Sequence, residues 1–208
     1  MIQVRCTRGG FTLVELLVVI GVIGVLMGIL LPVIAGSRRQ AWVSRARHDL
    51  RQIGLAAQVY NDDCRFYPPA RTFCASMMAS IDDYNHLPNE LVNERYLPEA
   101  LLDVFNSGRT YKYIAPGYGW ANGKATCLAI WVPRAFPGDG GQQDDKAYFS
   151  QLSSPVPFAT WSVGPAGAKS VFESDMLHYP VPPRHWYPSK RDGIIVYLMA
   201  EGGPRTSP

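Results

Sequence analysis

An apolar run of twenty residues, Leu16 to Ala35, contains no charged side chain and constrains this 208-residue chain more than any other stretch. At about 1.5 Å of rise per residue, such a run in a helix matches the roughly 30 Å hydrocarbon core of a bilayer. The spacing therefore predicts a membrane-inserted helix close to the N-terminus. A short basic leader, Arg5-Cys6-Thr7-Arg8-Gly9-Gly10, precedes it and runs directly into Phe11-Thr12-Leu13-Val14-Glu15.

Glu15 is out of place in this apolar block. A carboxylate in a bilayer is costly and reads by default as functional, with a partner to be named. No Lys, Arg or His lies within the segment to serve. A cut between Gly10 and Phe11 would supply that partner as a new α-amino group at the mouth of the helix. The amine could come from the same chain, one helical turn away, or from a neighbouring copy.

The run Arg8-Gly9-Gly10-Phe11-Thr12-Leu13-Val14-Glu15-Leu16-Leu17 resembles the processing and methylation site of type IV prepilins and of the pseudopilins of type II secretion. The resemblance implies cleavage after Gly10 by a membrane prepilin peptidase and N-methylation of Phe11. It also implies that Glu15 aids packing of each subunit into a helical filament. A secretory signal peptide fits less well, because its apolar core is 7–15 residues and ends at a small-residue cleavage site. Ala35-Gly36-Ser37 is only a faint candidate for one.

Charge bears on topology and on partners. Arg5 and Arg8 precede the apolar run, whereas Arg38, Arg39, Arg45 and Arg47 follow it. By the positive-inside rule alone the large domain would be cytoplasmic. The resemblance implies the reverse, with the leader facing the cytoplasm and the C-terminal domain extracytoplasmic on a single-pass inner-membrane anchor. The formal net charge of +3 falls by the two leader arginines to +1 in the processed chain, which is no nucleic-acid signature.

Beyond Pro32, which is expected to kink or locally melt the helix, Trp42, Ala46, Leu50, Ile53, Ala57 and Tyr60 recur at helical spacing. A helix from Phe11 to Asn61 would be about 75 Å long, more than one globular domain needs. Gly21, Gly24 and Gly28 open a small-residue strip on its membrane half, where another helix can approach closely. The expected organisation is a leader over 1–10, a transmembrane helix over 11–36, its amphipathic continuation over 37–61, and a soluble domain over 62–208.

In that domain a short helix is expected near Glu90 to Tyr96. Strands are expected at Thr110 to Ala115, Thr126 to Val132, Phe158 to Val163 and Gly193 to Ala200, the first two joined as a hairpin by a long turn over Pro116 to Gly123. This pattern predicts an α+β, pilin-like fold, with the long N-terminal helix packed on a small antiparallel sheet. Leu102 to Tyr113, Trp161 to Gly167 and Tyr187 to Ile195 are similar to short stretches of major, G-type pseudopilins.

The cysteines are Cys6, Cys64, Cys74 and Cys127. An oxidising compartment would permit one disulfide, for which Cys64 and Cys74 are the closest pair in sequence. Calcium is seen in the family's loop between its last strands, but Ala166 stands where an aspartate is usual, so with only Glu173 and Asp175 in the loop no cofactor or metal is expected. Calcium stays a minor alternative. His48, His86, His178 and His185 form no catalytic pattern. The exposed-aromatic candidates Tyr118, Trp120, Trp186 and Tyr187 suit packing more than ligand capture.

The sequence thus predicts a structural filament subunit and no enzyme. Its partners would be copies of itself, other pilins or pseudopilins, the peptidase and an inner-membrane assembly platform. The alternatives are a membrane-anchored binding module and a minor tip pilin for adhesion or DNA uptake.

Overall fold

A computed structural model describes residues 12–72, 84–134, 136, 145–167, 180–191, 193–200 and 202–208. The chain divides into two compact units, Met1–Ala41 and Trp42–Pro208. One helix, α1 (Leu13–Cys64), contributes to both.

In the first unit α1 exposes every large apolar side chain from Leu13 to Ile34. Its mean hydropathy reaches 3.0 over eighteen residues, so this stretch is long and apolar enough to cross a membrane. A helix that is apolar all round needs a lipid or protein surround. The helix is continuous through Pro32, so the local melting expected there does not occur. One turn beyond the proline, Ser37 Oγ donates to the Val33 carbonyl at 3.0 Å.

In the second unit α1 buries Val43, Ala46, Leu50, Ile53, Ala57 and Tyr60. This is the stripe expected from the sequence, with one correction at its start. Val43 takes the inward position, while Trp42 remains half exposed and meets Phe105 edge to face at 6.1 Å. The helix ends where Arg65 adopts a left-handed conformation, φ 65°, and donates its N–H to Asn61 O at 2.8 Å. Pro68 and Pro69 then prevent its resumption.

The stripe packs on a four-stranded antiparallel sheet. Its strands are β2 (Lys112–Ile114), β7 (Phe158–Ser162), β8 (Ile195–Ala200) and β9 (Gly203–Thr206), adjacent in that order. Register aligns Tyr113, Thr160, Tyr197 and Thr206 across one face, and Ile114, Ala159, Leu198 and Arg205 across the other. The first face meets α1 through Tyr113, Phe158, Ile195 and Tyr197. The second holds a separate core of Ile114, Trp161, Val196 and Leu198. Here β5 (Ile130–Val132) and β6 (Lys146–Tyr148), a two-stranded ribbon, add Ile130, Val132 and Tyr148. Covered on both faces, β7 is buried along its whole length.

The third sheet orders β1 (Arg71–Thr72), β3 (Gly117–Ala121) and β4 (Lys124–Leu128). It corrects the expected hairpin. Thr110 to Ala115 contributes β2, which pairs with β7, while the presumed turn over Pro116 to Gly123 contains β3. β3 returns into β4 through Asn122 and Gly123, both with positive φ (52° and 74°), the geometry of a two-residue hairpin turn. The expected strand Thr126 to Val132 breaks at Ala129 into β4 and β5, which belong to different sheets. The expected helix near Glu90 shortens to α2 (Glu90–Asn93). The α+β class expected from the sequence is the fold observed: a long N-terminal helix on small, mainly antiparallel sheets.

Candidate functional site

The start of α1 is built by two side chains. Glu15 Oε2 accepts the Thr12 backbone N–H at 2.9 Å and the Thr12 hydroxyl at 2.8 Å. Thr12 Oγ1 in turn accepts the Glu15 backbone N–H at 3.2 Å. This reciprocal pair is a capping box, which satisfies helix N–H groups that otherwise lack partners. Glu15 Oε1 takes no hydrogen bond from any described residue. The carboxylate therefore has a role inside its own helix and retains an open oxygen. Thr12 was not singled out from the sequence, although the T-x-x-E spacing ahead of an apolar run was the available signal.

Gly10 and Phe11 lie outside the described residues. At Gly21, Gly24 and Gly28 an added Cβ would meet nothing within 4 Å. No described residue fills that strip. Cys64 is a free, half-buried thiol and Cys127 a free, exposed one. Cys74 lies outside the described residues, as do Glu173 and Asp175 of the loop weighed for calcium. Among the described residues no group of three or more His, Cys, Asp or Glu is placed to hold a metal ion. Tyr118 is exposed, Trp120 lies half-buried beneath the Arg71 guanidinium at 4.0 Å, and Trp186 is buried.

Two of the pseudopilin-like stretches meet at a buried carboxylate. Asp103 Oδ1 accepts from Ser162 Oγ at 2.7 Å and from the Phe105 N–H at 3.0 Å, while Oδ2 accepts from the Val163 N–H at 2.9 Å. Burial raises the Asp103 pKa, and these three bonds and the Lys112 charge counteract the rise. The residue fastens the 103–109 loop to the end of β7. This is a structural task, and the sequence showed only that both stretches were familiar.

A family model described as the prokaryotic N-terminal methylation motif matches residues 5–31, at the opening of the chain. Over 113 residues the chain is 29% identical to the type II secretion system core protein G of Pseudomonas aeruginosa, covering 54% of this chain and 78% of that protein. No solved structure matches. The two similarities bear out the resemblance to prepilins and to the G-type pseudopilins of type II secretion, a class of structural subunits and not of enzymes.

Proposed function

We propose that the chain is a structural subunit of a type II secretion pseudopilus or of a related type IV pilus-like filament. In this reading it is held in the inner membrane by the first half of α1, with the Trp42–Pro208 unit on the extracytoplasmic side. A prepilin peptidase cuts after Gly10 and methylates Phe11. The processed chain then assembles with copies of itself and with other pseudopilins on an inner-membrane platform.

One observation carries the reading: ahead of its buried stripe, α1 exposes every large apolar side chain from Leu13 to Ile34. Lipid covers them in the stored precursor, and neighbouring helices cover them in a filament. The Gly21, Gly24 and Gly28 strip supports close helix approach there. Glu15 Oε1 is the oxygen left to receive the Phe11 amine of a neighbour, while Oε2 keeps the cap. That pairing would neutralise a charge inside the apolar core and set the axial register between subunits.

Intact-mass and peptide mass spectrometry of the membrane-purified protein, with and without the peptidase, tests the processing step. The expected product begins at N-methyl-Phe11 only when the peptidase is present. A chain that keeps Met1 in its presence, or one cut near Ser37, would replace this reading with an anchored or secreted binding module.

A further inference from the structure

We propose that a basic, aromatic-walled pocket on the sheet face opposite α1 binds a short acidic segment of a partner protein, one that carries carboxylates around an apolar side chain. The pocket has a volume of about 260 Å³ and is lined by Phe136, Trp186 and three prolines, with Arg134, Arg184 and Arg205 among its lining residues. Each arginine comes from a different part of the fold. Arg134 follows β5, Arg184 lies in the 3-10 turn Pro183–His185, and Arg205 lies in β9 opposite Leu198.

Charge complementarity names the ligand. None of the three guanidinium groups is ion-paired among the described residues, and no described carboxylate lines the pocket. The Arg205 guanidinium sits 5.2 Å from the centre of the Phe136 ring, and Arg184 Nε donates to His185 Nε2 at 3.3 Å. Asp145, the nearest described acid in sequence to Arg134, accepts that residue's backbone N–H at 2.9 Å. Three arginines lining one pocket, with no carboxylate among its described lining residues, form a site for carboxylates, which guanidinium recognises in a paired geometry.

The walls set the size and the apolar part of the ligand. Trp186 is fixed from behind by its indole N–H, which donates to Pro180 O at 2.8 Å. The turn beside it is closed by His185 N–H to Pro182 O at 2.9 Å and Trp186 N–H to Pro183 O at 3.1 Å. A preformed wall loses little freedom on binding. The volume falls below the roughly 300 Å³ at which pockets for drug-sized ligands begin, so it takes one side chain of a peptide and not a larger ligand.

The test is fluorescence anisotropy of a labelled Asp-Glu-Leu-Glu-Asp peptide with the detergent-solubilised full chain at low salt. The uncharged isostere Asn-Gln-Leu-Gln-Asn and a heparin-type sulfated oligosaccharide serve as comparison ligands. The acidic peptide is expected to bind, to weaken with salt, and to lose about tenfold in affinity in the Arg184→Gln/Arg205→Gln double variant. Lys124→Gln, which removes a cation from exposed β4, should leave binding unchanged. Arg184→Lys/Arg205→Lys, which keeps the charge but not the paired donor geometry, should bind more weakly than the wild type and more tightly than the Gln double variant, which separates loss of charge from loss of fold. Equal binding of the isostere, equal binding by the Gln double variant, or no binding by the wild type would overturn the proposal. So would peptide binding that appears only after Asp139→Asn/Asp144→Asn/Asp145→Asn, which would assign the pocket to the chain's own acids. Tighter binding of the sulfated oligosaccharide than of the peptide would assign it to a glycan instead.

Discussion

Gly54 illustrates how one atom sets the packing of α1. A Cβ at this position would lie inside the Tyr197 ring, whose hydroxyl accepts from Gln58 Nε2 at 3.1 Å. Gly54→Ala should therefore destabilise the protein by about 1–3 kcal/mol through overpacking, whereas Gly36→Ala, with open space around it, should be neutral or slightly stabilising. Thermal melts of the two variants in one detergent give the comparison. Asp103 provides a test with a definite sign. Its folded pKa lies above the ordinary value of 3.8, so the stability it contributes is complete below that value and is lost as pH rises through the folded pKa. Relative to Asp103→Asn, the wild type should become more stable as pH falls from 7 toward 4; a flat difference would contradict the assigned burial effect. Asp103→Ala strands three donors and should cost about 3 kcal/mol or more at neutral pH.

At the scale of elements, the periodicity that revealed α1 also fixed which face it buries. Ile53 is fully buried in that stripe and Leu55, two residues on, is 55% exposed. Ile53→Ala should cost about 2–5 kcal/mol and Leu55→Ala within about 0.5 kcal/mol; equal effects in a denaturant titration would mean that the register is wrong. Helix, short α2, β7 and β8 were legible because each carries its own period or a continuous apolar run. The sheets were less so. β6 and β9 are three and four residues long, with mostly polar or turn-forming side chains, and become strands through their partners Ile130–Val132 and Ile195–Ala200. Glycines at 117 and 119 made β3 read as a turn, yet Gly119 is small because Ala70 O and Leu128 crowd its Cβ position. The Asn122-Gly123 pair was the local signal that marked the real hairpin.

The molecule as a whole places its two chemistries far apart in sequence. The segment proposed for assembly draws notice in the sequence, since Glu15 and the glycine strip are anomalies of composition that need no tertiary contact to be seen. Thr12 was passed over because its role is hydrogen bonding within one turn. The arginine pocket had no linear signature at all: Arg134, Arg184 and Arg205 converge only through β5, the 3-10 turn and β9. Assembly through the N-terminal helix is tested most directly by the yield of sheared filaments from cells that make the Glu15→Ala protein, with processing and abundance followed on the same samples. A processed, abundant protein that forms no filaments is the expected result. Filaments at wild-type yield from that variant would contradict it.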